Sequence, residues 1–224
     1  MDLGKSPKEI AKMIDHTNLK PDATLKDIEK LCDEAIKYSF ASVCVNPSYV
    51  SFSKDILKDT DIKVCTVVGF PLGANTAKIK FFETTDALKN GADEIDMVIN
   101  IGALKSGLDD EIKSDITGVV AAAEGKVVKV IIETGLLTED EKLRACEACK
   151  EAGANFVKTS TGFGVSGATV KDIKLIKENI GSNMGIKASG GIRDLKTSLD
   201  MINAGTTRIG TSSGVQIMEE LMNR

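Results

Sequence analysis

Glu94-Ile95-Asp96-Met97-Val98-Ile99-Asn100 carries the reading of the fold. Ile95, Met97 and Ile99 share one face of an extended chain, and Glu94, Asp96, Val98 and Asn100 share the other, because successive strand side chains point to opposite sides. A parallel strand in an open sheet is apolar on both faces, since helices cover both. Here one face holds two carboxylates, which must be paired in the interior or line a wet site. The same division recurs. Val128, Val130 and Ile132 oppose Lys129, Ile131 and Glu133; Ala41, Val43 and Val45 oppose Ser42, Cys44 and Asn46; Ile186 and Ala188 oppose Lys187 and Ser189. Aliphatic side chains thus face helices, and polar ones face a second, shared surface. The inside of a closed barrel with a polar upper layer is such a surface.

Outward from this stretch the pattern repeats. Strand-like runs fall at 13–17, 41–45, 63–68, 94–100, 127–133, 155–159, 185–189 and 207–210. Helical runs fall at 24–37, 47–58, 75–90, 108–123, 138–152, 170–179, 195–203 and 215–223. Several helical runs stop at Asn90-Gly91, Gly153 or Gly205, where glycine suits a C-terminal cap. Eight strand–helix units in 224 residues predict an α/β chain folded as one (β/α)8 TIM barrel over 1–224, with a short helix ahead of the first strand. An open doubly wound sheet is the alternative. The run 63–68 shows little alternation and supports neither. Four prolines and no polar linker leave no place to divide the chain.

Charge and composition exclude several function classes. Twenty-nine Lys and Arg against 33 Asp and Glu give a net charge of −4, without the basic excess that a nucleic acid or an anionic membrane surface requires. No run approaches the roughly 18 apolar residues of a membrane helix. The first ten residues lack the apolar core of a signal peptide. The expected location is therefore cytoplasmic. Five cysteines, an odd and scattered set, read as reduced thiols. A single histidine, His16, argues against a catalytic zinc site, so no metal and no cofactor are expected.

Two lysines stand where chemistry is expected. Lys158 (Phe156-Val157-Lys158-Thr159-Ser160-Thr161-Gly162-Phe163) and Lys187 (Gly185-Ile186-Lys187-Ala188-Ser189-Gly190-Gly191) each lie in a strand beside a glycine-rich loop. One buried lysine reads as a structural ion pair. Two on adjacent strands allow another reading, because an ammonium neighbour disfavours protonation of the second amine. A neutral amine is the nucleophile that forms an imine with a carbonyl. Asp96 shares that interior as counter-ion, as acid/base, or as both. Asp15 is a weaker case of the same kind, and is also placed, with Cys44, among the substrate-binding residues. His16 has the opposite parity and reads as structural. Cys44 reads as a small buried apolar group that could border a substrate. Cys146-Glu147-Ala148-Cys149 lies in a helical pattern and reads as packing and surface.

Gly162-Phe163-Gly164-Val165-Ser166-Gly167 matches the glycine spacing of a dinucleotide loop, but no acid follows at the required distance. We read it as a loop whose backbone can approach an anion. Gly190 and Gly191 follow the seventh strand, and Ser212 and Ser213 follow the eighth and open a helix. Barrels often hold phosphate at these two loops.

The ensemble resembles the deoxyribose-phosphate aldolase family of class I aldolases. The resemblance rests on Ile14-Asp15-His16-Thr17-Asn18-Leu19-Lys20-Pro21, Val43-Cys44-Val45-Asn46-Pro47, Val68-Gly69-Phe70-Pro71-Leu72-Gly73, the stretch 94–100, Lys129-Val130-Ile131-Ile132-Glu133-Thr134, and the segments around Lys158 and Lys187. It implies reversible cleavage of 2-deoxy-D-ribose 5-phosphate to D-glyceraldehyde 3-phosphate and acetaldehyde, within deoxyribose phosphate catabolism. It implies Lys158 as the imine-forming residue, Lys187 as the lysine that activates it and takes part in proton transfer, and Asp96 as acid/base. It implies Gly162, Gly190, Gly191, Ser212 and Ser213 as the phosphate site. The partners are then a phosphorylated sugar and an aldehyde, with a possible homodimer, since bacterial relatives are often dimers. Another class I aldolase for phosphorylated sugars on the same barrel is the alternative, and a non-catalytic binding barrel a distant third.

Overall fold

In the computed structural model, which describes residues 5–223, eight parallel strands close into a barrel in the order β1 to β8. They are β1 (Ile14–Asn18), β2 (Ser42–Val45), β3 (Lys63–Val68), β4 (Glu94–Val98), β5 (Val127–Ile131), β6 (Phe156–Lys158), β7 (Gly185–Ser189) and β8 (Arg208–Thr211). The last strand pairs with the first, Asp15 against Gly210. The closed barrel expected from the alternation is therefore the fold, and the open sheet is excluded. Ten helices accompany the strands: α1 (Pro7–Ala11), α2 (Leu25–Tyr38), α3 (Val50–Leu57), α4 (Ala77–Lys89), α5 (Ile101–Lys105), α6 (Asp109–Ala122), α7 (Glu139–Glu151), α8 (Val170–Ile180), α9 (Leu195–Ala204) and α10 (Gly214–Met222). The short helix α1 is the one expected ahead of the first strand.

Local sequence explains where helices begin and end. Ser6, Thr24 and Thr138 each accept a hydrogen bond from the amide three residues on, and the acid at that position, Glu9, Asp27 or Glu141, reaches back to the cap. These reciprocal bonds satisfy amides that a first turn leaves open. Gly91, Gly153 and Gly205 follow α4, α7 and α9 with positive φ, as the glycine signals predicted.

Boundaries shift by one or two residues at several elements, β5 among them, which ends at Ile131 and not at 133, and two differences have a local cause. The run 94–100 stops as a strand at Val98, because the Asn100 side chain accepts from the Ala103 amide at 3.1 Å and starts the extra helix α5. The helical run 47–58 divides into a 3-10 turn at Pro47–Tyr49 and α3. The weak alternation of β3 also has a cause. Val64 and Val68 pack outward in the main core, while Cys65 and Val67 pack inward with Leu19 and Cys44, so both faces are apolar.

The main core is the shell between strands and helices, with Ile14, Val43, Ile95, Met97, Val130, Val157, Ile186 and Ile209 fully or almost fully buried there. These are the aliphatic positions of the alternating runs. The barrel interior is different in kind. Asp15, Glu94, Asp96, Lys129, Lys158 and Lys187 are all buried within it. Among the described residues no helix is long and apolar enough to cross a membrane.

Candidate active site

Strand register brings the charged side chains together. Asp96 lies beside Lys129 on β5, and Lys158 on β6 lies beside Lys187 on β7. Asp96 is the hub. Its Oδ2 accepts from Lys158 Nζ and from Lys187 Nζ, each at 2.7 Å, and its Oδ1 accepts from Lys129 Nζ at 2.8 Å and from Cys65 Sγ at 3.2 Å. Two lysine nitrogens on one oxygen can be no further apart than those two contacts end to end. The pairing of Lys158 and Lys187 expected from parity is thus a close one, bridged by the expected carboxylate.

A second carboxylate braces the cluster. Asp15 Oδ2 lies 2.5 Å from Lys187 Nζ, and Asp15 Oδ1 accepts from Arg208 Nη1 and Ser42 Oγ at 2.7 Å each. Glu94 closes the ring, 2.6 Å from Lys129 and 3.2 Å from Arg208. Packing allows this because β8 has a glycine where a side chain would collide: a Cβ on Gly210 would lie 2.9 Å from Lys187 Cε.

The shared field sets the protonation states. Burial works to raise the Asp96 pKa, but Lys129, Lys158 and Lys187 outweigh it and hold the carboxyl well below its ordinary value. Asp15 behaves alike, with burial opposed by Lys187, Arg208 and Lys129, and its pKa is also lowered. Burial works to lower the Lys187 pKa, yet Asp15 and Asp96 raise it above the usual lysine value. Lys129 is raised further, against burial, by Asp96, Cys65, Glu94 and Asp15. Lys187 and Lys129 are therefore ammonium groups, and Asp15 and Asp96 carboxylates, at neutral pH.

Above this floor a cavity of about 710 Å³ opens at the C-terminal ends of the strands, the end where (β/α)8 enzymes carry their sites. Among the described residues, Lys158 is the one lysine of the Asp96 cluster that borders it. Gly162, Gly190, Gly191, Ser212 and Ser213, the expected anion loops, all line the same cavity. Gly162, Gly190 and Gly191 have φ near +80°, as turns of this type require. Ser213 precedes the first residue of α10, so helix amides face the cavity mouth where a helix dipole favours negative charge.

Two residues stand elsewhere than expected for substrate contact. Asp15 and Cys44 are fully buried and do not line the cavity. Asp15 is committed to Lys187, Arg208 and Ser42, and Cys44 packs beside Cys65 on the next strand, at the level of the Asp96 cluster. His16, read as structural, is buried with Nε2 2.7 Å from Glu34 Oε2 and its ring against Phe40; its edge also borders the cavity. The two cysteines of α7 are packing residues, but neither is at the surface: Cys146 and Cys149 are both buried, and burial pushes the Cys146 thiol up to about 12.

Sequence reasoning missed Lys129, Glu94, Arg208 and Cys65 as members of the site. The signal for the first two was present, since they share interior parity with Asp96. The signal for Arg208 was a charge inside a strand whose parity had not been read. Cys65 lay hidden in the strand without visible alternation. The structure also brings Cys44, Cys65 and Asp96 within 4.8 Å of one another, a set of metal-ligand type. The Lys129 and Lys187 ammonium groups on Asp96 oppose a divalent cation there.

Comparison with known proteins agrees with this geometry. The DeoC/LacD family aldolase model matches residues 9–220. The deoxyribose-phosphate aldolase of Geobacillus sp. (strain WCH70) is 61% identical over 211 residues, 94% of this chain and 95% of the relative. Among solved structures, the aldolase QR15 superimposes with a TM-score of 0.92 at 42% identity, over 96% of this chain and 97% of that one. The tetrameric deoxyribose phosphate aldolase of Aeropyrum pernix superimposes with a TM-score of 0.90 at 33% identity, over 97% and 92%. The chain belongs to the DeoC/LacD family of aldolases.

Proposed function

We propose that this chain cleaves 2-deoxy-D-ribose 5-phosphate reversibly to D-glyceraldehyde 3-phosphate and acetaldehyde, through an imine on Lys158. The observation that carries the reading is positional: of the lysines on Asp96, Lys158 is the one at the cavity wall, with two permanently charged ammonium groups behind it. Lys158, as a free amine, attacks the C1 aldehyde, and water leaves to give the imine. Loss of the C3 hydroxyl proton breaks the C2–C3 bond. Its electron pair passes to C2 and into the C1–N system as an enamine, and glyceraldehyde 3-phosphate departs. Protonation at C2 and hydrolysis release acetaldehyde and restore the amine. In this scheme Asp96 orients the Lys158 nitrogen and relays protons through water. Lys187 supplies the positive field that favours the free amine, and shares in proton transfer. Asp15 holds Lys187 in place. The loops at Gly162, Gly190–Gly191 and Ser212–Ser213 take the 5-phosphate. Cys44 shapes the floor.

Acetaldehyde and borohydride should leave a reduced two-carbon adduct on Lys158, read by mass spectrometry. An adduct mainly on Lys187 would reverse the assignment. Failure to release acetaldehyde from deoxyribose 5-phosphate would move the reading to another phosphorylated-sugar aldolase. A cytoplasmic location remains part of the proposal, supported by five free, buried cysteines. A homodimer does too, with light scattering as its test.

A further inference from the structure

Glu133 is a buried acid that the proposed chemistry does not use. It follows β5 with φ of +54°, a left-handed backbone uncommon for a residue with a Cβ. Its neighbours are held to β6: the Ile132 amide donates to the Lys158 carbonyl at 3.0 Å, and the Thr134 amide to the Thr159 carbonyl at 2.9 Å. Between these two anchors the carboxylate lies under the loop that leaves β6. One oxygen, Oε2, accepts both from the Thr161 amide at 3.2 Å and from the Thr161 hydroxyl at 2.5 Å. The same hydroxyl then accepts from the Phe163 amide at 3.0 Å. The other oxygen, Oε1, is buried without a hydrogen-bond partner. Leaving such an atom unpaired is costly, and the bonds that hold the carboxylate both go to the loop that leaves β6.

The loop is shaped around this carboxylate. A Cβ on Gly164 would lie 2.9 Å from Glu133 Cδ and Oε1, so the chain passes close over the acid, and a side chain there would have to displace the carboxylate or the loop. The loop's far end is tied down as well. The Ala168 amide donates to the Ser189 and Gly190 carbonyls, and a Cβ on Gly190 would lie 2.9 Å from Gly167 Cα. The β6 and β7 loops are therefore tied to each other, and Glu133 is the post beneath the first of them.

We propose that Glu133 is a positioning residue for the phosphate end of the substrate: it fixes the Thr161–Gly167 loop, and through Gly167 the Gly190 turn, without touching substrate. This rests on the reading that those loops take the phosphate. It also says which property matters. Both bonds go to one oxygen, so an amide carbonyl can replace the carboxylate, and geometry is required rather than charge.

Three variants test this: Glu133→Ala, Glu133→Gln and Gly164→Ala. In Glu133→Ala the KM for deoxyribose 5-phosphate should rise at least tenfold, while kcat/KM for unphosphorylated deoxyribose and borohydride trapping of acetaldehyde on Lys158 stay within threefold of wild type. Glu133→Gln should recover most of the loss. Gly164→Ala, which keeps the acid but forces it and the loop apart, should repeat the KM effect even if Glu133→Ala folds poorly. Binding of inorganic phosphate, followed by calorimetry, needs no turnover, and should weaken at least tenfold in Glu133→Ala. Hydrogen exchange across 161–167 should speed up in parallel. If exchange accelerates while phosphate binding holds, the loop is positioned but the phosphate lies elsewhere, and the proposal fails with the loop reading. If both stay within twofold, Glu133 positions nothing. An equal fall with phosphorylated and unphosphorylated sugar would make Glu133 a fold or chemistry residue and overturn the proposal.

Discussion

Replacing Lys187 by Met removes one cation from beside Lys158 and keeps most of the side-chain volume. Both nitrogens sit 2.7 Å from the same Asp96 oxygen, so their separation is about 5 Å at most. At that distance, in an effective dielectric near 20, two unit charges repel by about 3 kcal/mol. Loss of that repulsion corresponds to about 2 pH units in the ease of freeing the second amine. Charge counting gives the same sign. Lys129, Lys158, Lys187 and Arg208 face Asp15, Glu94 and Asp96, one more cation than carboxylates. Without Lys187 the numbers are equal only if Lys158 keeps its proton. The assay is kcat/KM for deoxyribose 5-phosphate against pH, with borohydride trapping of acetaldehyde over the same range. The acid limb of both profiles should move up by about 2 units, and the rate at pH 7 should fall about 100-fold. Stability should fall less than for a wholly unpaired charge, because Asp15 keeps Arg208 and Ser42. An unmoved acid limb, with the rate lost equally at every pH, would refute the electrostatic role.

Three further perturbations probe the same structure. Lys80 of α4 is fully buried, 2.5 Å from Asp115 of α6 and 2.8 Å from the Val98 carbonyl; Lys80→Met should cost about 3–5 kcal/mol in urea unfolding by stranding the acid. Adding Asp115→Leu should restore most of that loss, and a single-variant cost under about 1 kcal/mol would contradict the argument. Burial lowers the His16 pKa below its ordinary 6.5, although Glu34 pulls the other way. As pH falls through 6.5 the unfolded chain therefore binds a proton that the folded chain resists. Wild-type stability should drop between pH 7 and 5, and His16→Gln should flatten that limb. Ser213→Glu places a carboxylate at the start of α10 and should weaken deoxyribose 5-phosphate by about 2–4 kcal/mol. Acetaldehyde trapping on Lys158 should be untouched, and unchanged sugar-phosphate KM would locate the phosphate elsewhere.

Alternation made the barrel legible where one strand face was charged and the other aliphatic, as in β4 and β7. It failed in β3, whose Cys65 and Val67 are as apolar as the outward Val64 and Val68. The floor was legible as a set of parities. Asp96, Lys158 and Lys187 were assigned to one interior, and they meet there. What parity could not supply is reach. Lys129 meets Asp96 and Glu94 on the adjacent strand, where register supplies the contact, but Arg208 of β8 spans Asp15 of β1 and Glu94 of β4, because a long side chain reaches partners across a closed barrel that sequence neighbourhood does not show. For the same reason Asp15 looked like a substrate contact, although it is consumed by structural bonds. Glu133 fell on the interior face of its run by parity, but the strand ends at Ile131, and its left-handed backbone turns the carboxylate under the next loop instead.

The excess cation in the floor bears on how one site can serve both halves of an imine reaction. Burying ions is tolerable only when partners compensate them. With Lys158 as a free amine, the remaining Lys129, Lys187 and Arg208 match Asp15, Glu94 and Asp96 one for one. The nucleophile is thus presented in the balanced state. When the amine becomes an iminium, a positive charge returns to the place an ammonium would occupy, within reach of an Asp96 carboxylate that the three lysines keep ionised. That charge is spread over the carbon and nitrogen at the cavity wall, where water and substrate share its solvation. In the proposed reaction the floor is therefore balanced without the proton on Lys158, and it offers the iminium the same carboxylate that an ammonium would use. A hub with fewer lysines would hold the proton on Lys158. A hub with one carboxylate fewer would free the amine but oppose the iminium.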